Sequence, residues 1–302
     1  MLRKLEAKEL PAGINRVKWD LRYDAPRVVA LRTVAPDNPH IWAEPRFRLA
    51  NSRPITHWGS KPGEAGPIVA PGQYTVRLTV DGKSYTQPLT ILADPRSPGS
   101  EADIQLSVKT LLKIRDDISH VSDSVNQIEW LRKQLETIEA MLRPAKPSEK
   151  REAPLAEEED ERESEPARAP PRQFNETEER ERGELLTAAE ALDKKLDGIE
   201  SRLVSPALRN SDDKYFVQAY GVYLDLIWLN AEVGTGGGDV AGSADFAPTV
   251  AQLDSLKTLE TQMTQVDSDF NNLMEHELPA FNQALDRTHH LQLTGSAAGH
   301  QP

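Results

Sequence analysis

Ten apolar residues between Leu111 and Leu142 constrain this chain more than any other feature. Leu111, Ile114, Ile118, Val121, Val125, Ile128, Leu131, Leu135, Ile138 and Leu142 follow one another at alternating steps of three and four residues, with one repeated step of three from Ile128 to Leu131. That period places all ten on one helical face, as a coiled-coil-like seam with a single stammer. Ser100 is a good N-cap, Asp103 adds an acidic group to the first turn, and Pro144 ends the run. The helix so predicted over 100–143 is about 60 Å long at ~1.5 Å per residue. A helix of that length needs apolar partners along its whole face.

Three further helical segments can supply them. Asn175 caps a second helix with Glu178 behind it, and its seam is Leu185, Ala189, Leu192, Leu196, Ile199 and Leu203 before Ser205-Pro206 stops it. A third, over about 213–233, carries Tyr215, Phe216, Tyr220, Tyr223 and Trp228. Its stripe is wide enough to be buried on more than one side. Pro248 suits the first turn of a fourth, whose seam runs Val250, Leu253, Leu256, Leu259, Met263, Val266, Phe270 and Leu273. Pro279 is expected to kink or end it. These segments predict a long-helix antiparallel bundle, with 175–291 completing the helix of 100–143. The alternative is pairing of the seams between chains, which would make a coiled-coil oligomerisation module. Between the first two helices, 144–174 holds six prolines and the run Glu157–Glu163. It is expected to be a disordered acidic linker, and 292–302 a disordered tail.

Residues 1–98 have a different period. Tyr74, Val76, Leu78 and Val80 alternate with Thr75, Arg77 and Thr79, Asp81-Gly82 supplies a tight turn, and Tyr85, Leu89 and Ile91 return. Pro88 makes the return strand an edge, or bulges it. Ile14–Tyr23 and Val28–Val34 read as two more strands, and the Pro- and Gly-rich stretch 35–70 as short strands between loops. The prediction is an N-terminal immunoglobulin-like β-sandwich over 1–98, so that the whole chain is multi-domain, all-β followed by all-α. Tyr74 is then an inward aromatic whose truncation would cost about 3–5 kcal/mol. Trp19, Trp42 and Trp58 are read as core or edge-covering aromatics, with a carbohydrate-stacking platform as the alternative.

Composition narrows the classes of function. The hydrophobic share is 38% and there is no cysteine, which excludes a disulfide framework, a thiolate metal site and a cysteine nucleophile. Residues 1–98 carry 15 Lys and Arg against 9 Asp and Glu, a net of +6, within a chain of net −12. An acidic chain argues against nucleic acid as partner. No apolar run is long enough to span a bilayer, and the first residues lack the apolar core of a signal peptide.

No motif marks a reaction. None of the seven histidines stands in an HExxH pattern. Glu275-His276-Glu277 points its side chains in different directions around a helix. The glycines at 234–238 lack the Lys-Ser/Thr of a phosphate loop, and no Gly-x-Ser-x-Gly elbow occurs. Asn175-Glu176-Thr177 fits a glycosylation sequon. No catalytic, cofactor-binding or metal residue is assigned, and no cofactor is expected.

The stretches Gly13–Pro26 (GINRVKWDLRYDAP), Gly66–Arg96 (GPIVAPGQYTVRLTVDGKSYTQPLTILADPR), SEADIQ from Ser100 and HELPAFNQAL at His276–Leu285 together resemble the C-terminal region of bacterial sortilin-like, BNR-repeat β-propeller proteins, often labelled glycosyl hydrolases. In that family a propeller precedes an immunoglobulin-like domain and a helical tail. The resemblance implies a non-catalytic accessory module that packs on a β-propeller or another protein, in a periplasmic or secreted setting. The alternative it implies is the C-terminal fragment of a sialidase-like hydrolase. No Asp-box motif occurs in the 302 residues, so any catalytic residue the label implies lies on a propeller this sequence does not contain. The expectation is either a separately encoded module or a truncated reading frame.

Overall fold

The structure, a computed structural model, describes residues 2–5, 13–35, 37, 52, 53, 55, 65–143, 175–211, 220–234, 236, 245–289 and 291–295. Helix α1 spans Glu101–Leu142, and its buried apolar residues are the ten of the seam together with Ile104. A capping box starts it: the Ser100 side chain accepts from the Asp103 N–H, and the Asp103 carboxylate accepts from the Ser100 N–H. Helix α2, Glu176–Leu203, opens on the same device with Asn175 and Glu178. After it come α3, Pro206–Ser211, and α4, Val222–Val233. Helix α5, Val250–Asn272, has a third capping box from Thr249 and Gln252, which leaves Pro248 just outside the helix rather than in its first turn. A π turn, Leu273–Glu277, then leads into α6, Leu278–His289.

Cross-helix contacts set the directions. Arg143 meets Glu190 at 3.4 Å and Arg132 meets Asp193 at 2.9 Å, so α2 runs antiparallel to α1. His120 meets Asp267 at 2.8 Å and Lys113 pairs with Glu260, so α5 runs parallel to α1. Arg202 meets Asp269 at 2.7 Å and Lys195 meets Glu277 at 2.6 Å, which sets α2 antiparallel to α5. Helix α4 begins beside Leu203 and Ser205 and ends beside Leu111. The bundle therefore has three columns: α1 up, α2–α3–α4 down in pieces, and α5–π turn–α6 up. Leu135, Leu196, Leu226 and Leu285 are fully buried between them.

Of the two prolines that sequence logic treats as stops, Pro206 follows the end of α2 at Leu203 as expected, and Pro279 lies inside α6. Pro206 stands at the first position of α3, where its missing N–H costs nothing. Pro279 does not end the last column. A proline ring clashes with the carbonyl four residues back. The π turn widens the helix just before it, with the Leu278 N–H bonding Leu273 O, so the helix passes through. Between α3 and α4, Gly221 has φ of 80°, and a Cβ there would lie 2.8 Å from Leu203 O. Gly221→Ala is expected to cost about 1–3 kcal/mol, read as a lowered urea midpoint. An unchanged midpoint would show that the α2–α4 connection tolerates a different path.

The expected immunoglobulin-like β-sandwich over 1–98 is overturned. Among the described residues there are two strands, β1 (Gly72–Val80) and β2 (Lys83–Ile91), in one two-stranded antiparallel sheet, and the molecule is mostly helical. The physical reason lies in what satisfies the backbone of the other expected strands. Residues 27–33 are received mainly by α1, and by a single antiparallel bridge in which Leu31 exchanges both backbone hydrogen bonds with Arg53. The Arg27 N–H donates to Ser119 Oγ (3.1 Å) and Arg27 O accepts from Ser122 Oγ (2.7 Å). Asn126 takes the Ala30 N–H (2.7 Å) and donates to Val28 O (3.0 Å). Glu129 takes the N–H of both Arg32 and Thr33. Among the described residues the expected strand Ile14–Tyr23 pairs only at its end, Arg22 with Ile68, and Leu21 bends there with φ of 58°. Ile14 and Val17, expected inward, are exposed.

Tyr74 is also not a core residue. It is half-buried, donates to Ala70 O (2.6 Å) and meets Trp19 edge-on at 6.4 Å. The expectations for 144–174, for Trp42 and Trp58, for the start of the third helix and for the tail beyond 295 lie outside the described residues.

Candidate functional site

The densest polar chemistry is buried between α1, α2, α3 and the N-terminal segment. Glu129, Glu200 and Arg209 are at most 1% exposed, and Arg53 is 4%. Arg209 donates to Glu200 Oε2 at 2.6 Å and to Asp197 at 2.8 Å. Arg132 donates to the same Glu200 oxygen at 2.8 Å and to Asp193 at 2.9 Å. Glu129 holds Thr33 Oγ1 at 2.8 Å, and Arg53 donates to Thr33 O at 3.3 Å. Burial, and then the charge of Glu129, push Glu200 up to about 8 against the pull of its two arginines. Burial likewise lowers Arg53 to about 10, against Glu129 and Glu200. Perturbed groups of this kind often mark catalytic sites. Here Glu129 is held by the segment around Thr33 and Glu200 by Arg132 and Arg209, and Arg53 feels the charge of both carboxylates, so charge links the segment at 27–33 to the broken second column.

Sequence logic missed all of these residues. One signal was available: Ser119, Ser122, Asn126 and Glu129 repeat at steps of three, four and three beside the apolar seam. That is a second, polar stripe on α1 of the right period to hold an extended peptide.

A cleft of ≈ 290 Å³ lies at the other end of α1, where Ile104 and Leu111 face Val69, Ile91 and Val233. Its size is at the lower limit of small-molecule pockets. Arg22, which borders it, is committed to Gly66 O at 2.9 Å. Nothing in it aligns a nucleophile with a base.

The histidine and glycine features stay apart. His120 is half exposed and pairs with Asp267. His276 lies in the π turn, whose Glu277 is held by Lys195. No group of three His, Asp or Glu placed to hold a metal occurs among the described residues. The sequon asparagine, Asn175, has its side chain engaged as the α2 cap. Trp19 donates its indole N–H to Arg22 O at 2.9 Å. Among the described residues no helix is long and apolar enough to cross a membrane.

What remains is the β1–β2 hairpin. Its register is unbroken from Gly72↔Ile91 to Val80↔Lys83, with no bulge at Pro88. One face carries Tyr74, Val76, Leu78 and Val80 beside Tyr85 and Leu89. Val76 is 51% exposed, and Leu78 and Tyr85 are each 58%. An isolated two-stranded hairpin is marginal in water, and a contiguous exposed apolar face marks an interaction surface. The hairpin is the candidate site. No protein-family model, curated protein or solved structure matches this chain.

Proposed function

We propose that the chain is a non-catalytic interaction module that docks to protein through the apolar face of its β1–β2 hairpin. One observation carries this reading: Val76, Leu78, Val80 and Tyr85 form a row of large apolar side chains, all about half exposed or more, beyond the base of the hairpin, where Tyr74 meets Trp19 and Ile91 borders the cleft beside α1. The buried charge cluster supports it, since Glu200, its most perturbed carboxyl, is held by Arg132 and Arg209. The resemblance to the region that follows a bacterial β-propeller supports a protein as the partner.

The test compares the purified chain with Leu78→Asp and with Tyr85→Ser. Both changes lie outside the core and should shift stability by less than about 0.5 kcal/mol. Each is expected to abolish protein association measured by cross-linking and sedimentation. Association that survives both substitutions would sink the reading, as would hydrolysis of aryl glycosides by the purified chain.

A further inference from the structure

The two free edges of the hairpin are not equivalent, and the register says which one is open. Asp81 and Gly82 have φ of 48° and 76°, the signature of a two-residue type I′ turn. In such a hairpin the residues flanking the turn form a hydrogen-bonded pair, and the pairs then alternate. Val80↔Lys83, Leu78↔Tyr85 and Val76↔Gln87 are therefore bonded across the ladder. Gln73, Thr75, Arg77 and Thr79 turn their N–H and C=O groups outward on the β1 side, and Ser84, Thr86, Pro88 and Thr90 do so on the β2 side. Pro88 sits at an outward position, directly opposite Thr75. It costs no ladder bond and removes a donor from the middle of the β2 edge, which guards that edge against another strand. The β1 edge has no such guard, and no described residue pairs with it.

An antiparallel two-fold register centred on Val76 is self-complementary on this edge. It sets Val76 against Val76 of a second copy and Leu78 against its Tyr74, so apolar side chains meet on one face. On the other face it sets Arg77 against Thr75 and Gln73 against Thr79, so no like charges oppose each other. The parity is also correct, because the outward-facing pairs Thr75–Arg77 and Gln73–Thr79 become the hydrogen-bonded ones. We propose that the partner at this surface is a second copy of the chain, joined β1 to β1 as the centre of a four-stranded antiparallel sheet with the Pro88 edges outermost. This rests on the hairpin being the docking element.

The contact is small beside the ~1,200–2,000 Å² of a stable interface, so the dimer is a weak, concentration-dependent one. Each copy carries a net charge of −12, and screening that repulsion strengthens the association. An acidic heterologous partner drawn to the basic N-terminal part would be weakened by salt instead.

Sedimentation equilibrium of the full chain over about 1–100 μM tests the pairing, with Thr75→Pro and Thr86→Pro as the two variants. Thr75→Pro places on the β1 edge the same block that Pro88 places on β2. Thr86→Pro adds a second block to the edge already guarded. The expected result is a shift toward twice the monomer mass for the wild type and for T86P, increasing with added salt. T75P should associate at least tenfold more weakly.

A wild type that stays monomeric across the range overturns the proposal. So does a T75P variant that associates as the wild type does. Amide exchange identifies one further overturning outcome. The bridge Arg22↔Ile68, extended in register, would bring Ile14 opposite Val76. A monomer with protected Thr75 and Arg77 amides would then show that residues 13–20 of the same chain cover the edge. If the wild type is monomeric but Leu78→Asp still abolishes association with another protein, the docking reading stands and only the choice of partner falls.

Discussion

Arg209→Met is expected to lower the unfolding free energy by about 3–5 kcal/mol, the cost of removing one partner from a buried ion pair. Arg209 is 1% exposed and bonds Glu200, Asp197 and Ser201 in a single fork. Methionine fills much of the volume but leaves the Glu200 carboxylate with Arg132 alone. The loss should grow with pH. Glu200 already titrates above its ordinary range because burial disfavours its charge. Without Arg209 its folded-state pKa rises further above the unfolded value. A carboxyl raised in this way adds stability that is complete below the unfolded pKa, near 4.5, and is lost as pH climbs through the folded one. Urea unfolding at pH 5 and pH 8 reads the difference between variant and wild type. A deficit equal at both values would mean that removing Arg209 leaves the folded-state pKa of Glu200 unchanged. The double variant Arg209→Met, Glu200→Met should recover part of the loss, because apolar residues of similar volume often replace a buried pair at little cost.

Glu129→Ala is expected to be comparably severe, and local in a way that can be measured. The Glu129 carboxylate accepts from the N–H groups of Arg32 and Thr33 and from Thr33 Oγ1. Removing it leaves buried donors without acceptors, each costing about 1–3 kcal/mol, and deprives Arg53 of its strongest compensating charge. Glu129→Gln keeps one acceptor and should fall in between. Amide exchange at residues 27–33 should accelerate at least a hundredfold while the α1 and α2 amides keep their protection. Uniform acceleration across the helices would instead mean that the N-terminal segment and the bundle open as one unit.

The helices were legible because their signals are local. The seam from Leu111 to Leu142 and the pairs Ser100/Asp103 and Asn175/Glu178 all lie within a few residues of one another, so period and capping chemistry identify them without tertiary knowledge. The sandwich was misread for the complementary reason. Residues 28–34 alternate as a strand does and are extended. Alternation does not say what will take up the backbone N–H and C=O groups, and here Asn126 and Glu129 do so for Val28, Ala30, Arg32 and Thr33 from almost a hundred residues away, while Leu31 pairs with Arg53. In the hairpin the alternation correctly separates two faces. A period of two shows that the faces differ, not that either is covered, and Leu78 and Tyr85 are open to solvent. The buried charge cluster was illegible because its members come from five separate stretches, around Thr33, Arg53, Glu129, Glu200 and Arg209. No short window holds more than a fragment of it.

The side-chain cradle on α1 also orders events in time. Arg27 O is held by Ser122, a residue 95 positions later in the chain. At a synthesis rate of about 5–20 residues per second, that gap is about 5–20 s. Throughout it, the segment at 27–33 lacks the helix that holds it. Its apolar residues, Val29 and Leu31 among them, wait for a helix that does not yet exist. Residues 27–33 are therefore made before the helix that holds them and reach their final place late.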